Sequence, residues 1–218
     1  MKIIIINGSP REKGLTSDIL HVIEKRLLNK GAEVIFYNLD KLNMKQCCGC
    51  CSCYTTGKCI FNDDAENLSI EIANADGLVM GSPTYASNIS GILKKFVDRG
   101  HLVIEQLLFN KYAISVVTGE NYGSKDASKI LNKLLSYSGA KISGKLIINA
   151  PFNSGFHDEK VAFDIADKIY NDITVNKAYI FQKIKHRFIF SMGIKPFVQK
   201  KGKKYQGVTD RWDKVGIR

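Results

Sequence analysis

The chain has 218 residues, 44% hydrophobic and 24% charged, which is enough to bury a core without covalent staples and excludes a disordered or collagen-like chain. Its net charge of +11 is concentrated at one end, because residues 183–218 hold eleven Lys/Arg against two Asp while the rest is nearly neutral. A basic tail could attract an acidic protein, a phosphorylated cofactor or nucleic acid, but no nucleic-acid motif accompanies the charge, so a solvated basic surface is expected and nucleic acid is not an expected partner.

Residues 2–6 (KIIII) form a short continuous apolar run that suits a strand buried on both faces. The run is too short for an export signal and no later one reaches membrane-spanning length, so a cytoplasmic protein with no membrane contact is predicted. Residues 16–30 place Ile19, Ile23 and Leu27 on one helical face, with Gly31 where a helix would stop. Further β-rich runs are 33–37 (EVIFY), 77–80 (GLVM), 112–118 (YAISVVT) and 145–149 (KLIIN). Helical patterns lie between them at 63–74, 89–109 and 123–138, and a last one begins near Asp158 with Val161, Ile165, Ile169 and Ile173. Strands alternating with helices predict a doubly wound α/β domain over residues 1–175, a five-stranded parallel sheet covered on both faces. Residues 176–218 break the pattern and read as a basic C-terminal extension, a helix followed by a tail that packs on the core or on a second subunit.

The first strand runs into NGSPREKGLTS, Asn7 to Ser17, at the start of the first helix. Ligands of open α/β sheets bind outside the carboxyl ends of the strands, and such a loop aims backbone N–H groups and the positive helix end at an anion. Ser9, Thr16 and Ser17 offer hydroxyls and Arg11 a charged fork. Neither GxGxxG nor a GK[ST] sequence is present, which argues against dinucleotide binding of the Rossmann type and against ATP hydrolysis. A polar turn with an ordinary helix cap is the plainer reading of the same residues.

At the end of the GLVM strand comes GSPTY, residues 81–85, followed by ASNIS and GILKKFVDR. With GSPREKGLTS, the Asp63-Asp64 pair and the Ala75-Asp76 that opens the third strand, this ordered set resembles the flavodoxin-like NAD(P)H-dependent FMN reductases over residues 1 to about 175. The resemblance implies a flavodoxin-like sheet of order 2-1-3-4-5 and FMN as cofactor. It implies Ser9, Arg11, Thr16 and Ser17 at the phosphate, with Pro83, Thr84, Tyr85, Ala86, Ser87 and Asn88 lining the isoalloxazine. The loop after the fourth strand, Thr118, Gly119, Glu120, Asn121, Tyr122 and Gly123, would approach the ring from the other side. Glu120 departs from the small residues usual there and is given no catalytic role. No catalytic residue is assigned, and Asp98-Arg99 reads as a structural ion pair or subunit contact.

All six cysteines fall within CCGCCSCYTTGKC, residues 47–59. The spacing Cys47-x2-Cys50-x2-Cys53-x5-Cys59 suits four thiolates converging on a cubane, and it resembles the loop of the iron-sulfur flavoproteins, which carries a [4Fe-4S] cluster near the flavin. Zinc, thiols without metal and disulfides remain alternatives, and Cys48 and Cys51 fall outside the pattern. The four histidines are scattered away from any Cys or acidic cluster and read as surface or helix-end residues.

These readings converge on an FMN-dependent oxidoreductase. Its electron donor would be NAD(P)H or a ferredoxin-like protein, and its acceptor a small molecule or a protein. A flavodoxin-type carrier without substrate turnover is the alternative. The resemblance further implies a homodimer or homotetramer.

Overall fold

The computed structural model describes residues 1–99, 101–120, 122–151 and 153–217. Five parallel strands, β1 (Lys2–Asn7), β2 (Glu33–Asn38), β3 (Gly77–Tyr85), β5 (Tyr112–Gly119) and β6 (Lys141–Asn149), lie in the order β2-β1-β3-β5-β6. Counting these strands alone, this is the expected 2-1-3-4-5 order. A two-residue strand, β4 (Asn88–Ile89), turns back antiparallel on β3 through the pairs Thr84↔Ile89 and Tyr85↔Asn88.

The isoleucine run explains the layers. Side chains alternate across a strand. Ile3 and Ile5 therefore join one core with α1 (Leu15–Asn29) and α6 (Glu159–Thr174), while Ile4 and Ile6 join the other. The second core is covered by α3 (Asp64–Ala73), α4 (Gly91–Arg99) and α5 (Ser124–Tyr137). All four isoleucines are fully buried. Gly31, at φ +84°, ends α1 in the left-handed conformation that glycine adopts without penalty. Among the described residues no helix is long and apolar enough to cross a membrane.

Three elements differ from expectation. Strand β6 starts at Lys141, four residues before the run KLIIN, because the more polar KISG is pinned at the sheet edge. The helix expected over 89–109 ends at Arg99. Beyond it His101 and Gln106 take φ values of 26° and 57°, outside the right-handed helical region, and the buried segment runs through turns. The basic end is not a tail. It forms α7 (Ile180–Ile189), a π-helical turn (Phe190–Ile194), α8 (Lys195–Lys201), a short 3-10 turn and α9 (Gln206–Lys214). These close on a small core of their own around Phe190, Val198, Val208 and Trp212, which packs on Val103, Ile104 and Phe109.

Candidate functional site

The loops at the carboxyl ends of β1, β3, β5 and β6 enclose a cleft of about 500 Å³, within the range of about 300–1,000 Å³ usual for small-molecule sites. The first of these loops begins at Asn7, the last residue of β1. The Asn7 amide donates to Ser17 Oγ and to Asn38 Oδ1, both at 2.8 Å, and its oxygen accepts from Ser9 N. Ser9 Oγ accepts from Arg11 N, and Ser17 Oγ donates to the Arg11 carbonyl at 2.6 Å. These bonds fold the loop tightly and occupy the hydroxyls of Ser9 and Ser17 within it. What the loop presents outward is the start of α1, where Gly14 caps the helix without any side-chain hydrogen bond. The first N–H groups of a helix have no partner inside it, so an anion there meets backbone donors and the positive end of the helix. Arg11 lines the same cleft and reaches across it, Nη1 donating to Asn153 Oδ1 at 3.3 Å. The buried Thr16 hydroxyl pairs with that of Thr118 at 2.7 Å, tying the first loop to the end of β5.

Two of the predicted ring-side residues carry backbone strain. Ala86 and Ser87 lie at φ 48° and 60°, the two central positions of the tight turn between β3 and β4. Such a turn needs φ > 0 twice and ordinarily takes Asn-Gly, so Ala-Ser holds a costly geometry here. Gly123, at φ +87°, packs against this turn, where an added Cβ would stand 2.7 Å from Ser87 Oγ. The hairpin projects Tyr85, 46% exposed, at the cleft.

Arg11, Pro83, Thr84, Tyr85, Thr118 and Gly119 thus line one cleft. Ser9, Thr16 and Ser17 shape it from beneath. Ala86, Ser87, Asn88, Tyr122 and Gly123 stand around its rim rather than on the lining, and Tyr122 is 81% exposed. Asn121 lies outside the described residues. Glu120 of the expected fourth-strand loop lines the cleft too, whereas the reading of single strands missed Lys13, Asp18 and the segment after β6, where Ala150, Pro151, Asn153, Ser154 and Gly155 close the far wall. The missed signal was positional: the polar PFNSG follows the carboxyl end of the last strand, where such sheets bind ligands. An uncapped helix start facing a cleft of this size fits a phosphate-bearing planar cofactor.

The six cysteines line a second cavity of about 80 Å³, and all are free. It shares no lining residue with the first and lies at the other end of α4, a helix about 13 Å long. Arg99 organises the cavity. Its guanidinium pairs with Asp63 at 2.7 and 2.9 Å, donates to the Lys45 carbonyl at 2.8 Å and approaches Cys59 Sγ at 3.2 Å. Asp63 also caps α3 by accepting from Ala65 N, and burial of its carboxylate is outweighed by these donors, which hold it below its ordinary range. Arg99 is thus a structural ion pair, with Asp63; Asp98 pairs with Lys94 instead. Burial, with Glu105 nearby, pushes the Cys53 thiol up to about 12. Cys47, Cys48, Cys50 and Cys51 are exposed. In kind the donor set fits an iron-sulfur cluster, since thiols of the right spacing line one cavity beside a cationic donor. Among the described residues, however, no three metal-ligating side chains are gathered about one point.

The histidine expectation fails at two positions. His101 also lines the cysteine cavity and is buried, its Nδ1 2.7 Å from Glu105 Oε1 and its Nε2 2.9 Å from Glu66 Oε2. Burial alone would lower its pKa, but the two carboxylates outweigh it and raise it to about 9. Arg211 of α9 reaches the same Glu105 at 2.9 Å and donates to the Gly57 carbonyl. His186 is buried too, 2.6 Å from Gln106 Oε1, and burial lowers its pKa. Sequence distance hid the Glu66 partner of His101 and the Gln106 partner of His186, which lie on other elements.

The profile of the family described as NADPH-dependent FMN reductase matches residues 1–153. An iron-sulfur flavoprotein of Clostridioides difficile is 34% identical, covering 100% of each chain. Among solved structures, an apo NADH:FMN oxidoreductase matches with a TM-score of 0.59 at 20% identity, covering 80% of this chain and 89% of that one. An archaeal flavodoxin matches at 0.56 with 14% identity, covering 80% of this chain and 99% of that one. The last two show the likeness of fold alone.

Proposed function

The chain belongs to the NADPH-dependent FMN reductase family, in its iron-sulfur flavoprotein branch, and from that premise we propose that it binds FMN in the cleft at the strand ends and moves electrons between a reduced donor and an acceptor. The observation that carries this reading is the uncapped start of α1 at Gly14, opening beside Arg11 into a cleft of about 500 Å³. The donor class is NAD(P)H or a ferredoxin-like protein, the acceptor a small molecule or a protein.

In this reading Ser9 and Ser17 hold the first loop in shape, so that the backbone N–H groups of Thr16 and Ser17 and the Arg11 guanidinium meet the FMN phosphate. Pro83, Thr84 and Tyr85 flank the ring from β3, with Ala86, Ser87 and Asn88 fixing the hairpin. Thr118, Gly119, Tyr122 and Gly123 approach from the β5 side. Ser124 Oγ, 2.7 Å from Asn149 Oδ1 and 3.3 Å from Thr84 Oγ1, joins the two walls. FMN, when bound, supplies hydride and one-electron chemistry, and the protein contributes position and local electrostatics. Cys47, Cys50, Cys53 and Cys59 would hold a [4Fe-4S] cluster. Residues 1–175 would form the flavin domain, residues 176–218 an extension, and the chain a homodimer or homotetramer.

Anaerobic purification with an absorption spectrum, iron and sulfide counts and a flavin assay tests the cofactors together. A flavin spectrum with four irons per chain is expected. A colourless protein would sink the flavin reading, and a yellow, iron-free one would remove the cluster alone. Steady-state oxidation of NADH and NADPH then separates reductase from carrier. If neither nucleotide reduces the flavin while a reduced ferredoxin does, the pyridine-nucleotide reductase is excluded.

A further inference from the structure

A third cavity is larger than either of these two. A groove of about 710 Å³ runs between α5, the edge strand β6 and α7, and it is basic. Lys125, Lys129 and Lys133 follow at four-residue spacing on one face of α5, with Lys145 on β6 and Lys185 on α7 opposite. The only acid on α5 is Asp126, which pairs with Lys129 at 3.1 Å on the exposed surface. The groove has a firm wall. Gln182 of α7 pairs with the backbone of Ile142 in both directions, at 2.7 and 3.0 Å, so α7 is fixed along the sheet edge.

Beside the groove α7 carries an apolar ridge. Ile180, Phe181, Ile184 and Phe188 are 61–89% exposed, and Met192 continues the stripe at 70%. Between Asp172 and Asp210 the sequence has nine Lys/Arg and no Asp or Glu. An exposed apolar stripe bordered by one sign of charge marks a surface that meets a partner of the opposite sign.

We propose that this groove and ridge dock an acidic protein, one that presents carboxylates around an apolar centre, beside the flavin cleft. The position follows from α5. Its first residue, Ser124, bridges Thr84 and Asn149 at the cleft, and Lys125 opens the groove next to it. Three other occupants fit less well. A second copy offering the same face would bring the lysines together. A bilayer is flat and would leave a concave groove of this volume unfilled. Nucleic acid would pair with the lysines, but Ile180, Ile184 and Met192 fill the stripe between the aromatics, an aliphatic surface that protein covers and base stacking does not use. The inference deepens the reading of the cleft by giving its protein partner a place, and it rests on that reading only for what the partner does there.

The test uses the full chain and a fluorescein-labelled glutamate–leucine peptide, read by anisotropy, with a single-stranded oligonucleotide and phosphatidylglycerol vesicles as competing probes. Peptide binding that falls with salt is expected. The double variant Lys133→Glu/Lys185→Glu should bind about tenfold more weakly, since each reversal replaces an attraction with a repulsion. The charge-matched control Lys25→Glu/Lys160→Glu, on the exposed faces of α1 and α6, should lose much less. Phe181→Ser/Phe188→Ser should remove the part of the binding that survives high salt. Equal losses in the groove variant and the control would overturn the proposal. So would oligonucleotide or vesicle binding that is tighter than the peptide's and depends on the same lysines. Flavin content of the same preparations is read separately. An empty cleft with groove-dependent peptide binding would overturn the flavin reading alone, and a full cleft with groove-independent binding the docking alone.

Discussion

Helix α4 joins two regions built in different ways. At its start, Ser90 Oγ donates to the Gly8 carbonyl and its N–H is received by Ser82 Oγ, so the helix is locked onto the loops of the cleft. The first of those loops is closed by short bonds from residues two to ten positions apart, such as Ser9 to Asn7 and Ser17 to Asn7. At its end, Arg99 gathers Lys45, Cys59 and Asp63, and His101 gathers Glu66 and Glu105. The brace on that second region, Arg211, comes from more than a hundred residues further on. The first loop of the cleft is preformed by local bonds, and longer ties such as Asn7 to Asn38 and Thr16 to Thr118 join it to its neighbours. The cysteine cavity is assembled from distant pieces and depends on each remaining in place.

The largest expected effect tests that dependence. Replacing Arg99 with Met leaves Asp63 buried, with a side chain 6% exposed, and without its cation. Removing one partner of a buried pair costs about 3–5 kcal/mol against a total stability of about 5–15 kcal/mol, so Arg99→Met should lower the urea midpoint substantially. A variant as stable as the parent would show that the cavity does not need its cationic centre.

The same contrast governs what could be read from residues alone. KIIII, the helical periodicities and the polar turns after β1 and β3 each report local structure, and they located both the sheet and the cleft. The strained Ala86-Ser87 turn was not legible, because neither residue favours φ > 0 and tertiary packing against Gly123 imposes it. His101 looked isolated because Glu66 is 35 residues away on another helix, while Glu105, four residues on, was within reach in the expected helix and was passed over. The basic end read as a tail because its apolar residues are split between a small inner core and the exposed ridge, which blurs the single-faced helical pattern.

The second effect in size depends on pH. His101 is raised to about 9 against an ordinary value near 6.5, so its charged form is favoured by folding. Its contribution is fully present below about pH 6.5 and is lost as pH rises through about 9, a change on the order of 3 kcal/mol. Urea midpoints measured from pH 6.5 to 9.5 on metal-free protein should fall in the parent and stay nearly flat in His101→Gln. Parallel curves for the two proteins would mean that the Glu66–His101–Glu105 bridge is not what the pH change weakens.

A third test separates the brace from the cavity it holds. Gly207 of α9 lies so close to α2 (Ser52–Thr56) and the glycine after it that an added Cβ would stand 2.0 Å from Gly57 N. Backbone cannot yield as a side-chain tip does, so Gly207→Ala should displace α9 at a cost of about 2 kcal/mol. The chain has a single tryptophan, Trp212, buried on that helix with its indole N–H donated to the Ile104 carbonyl. Its emission should shift to the red, while flavin content of the cleft stays that of the parent. Loss of flavin together with the shift would mean that the two regions are coupled after all.

The smallest effect is expected in the cleft, and it measures how preformed that region is. Thr16→Val keeps the shape of a buried side chain and removes the 2.7 Å bond to Thr118. The cost to stability should be about 1 kcal/mol, the usual net worth of one such bond. If Asn7, Ser9 and Ser17 already fix the first loop, the backbone donors at the start of α1 stay in place, and FMN affinity should weaken only about fivefold by the same energy. A loss of flavin far beyond the change in stability would mean instead that the Thr16–Thr118 bond itself sets the distance between the phosphate and ring walls. The cleft would then depend on a long-range tie of the same kind as the one Arg99 supplies to the cysteines.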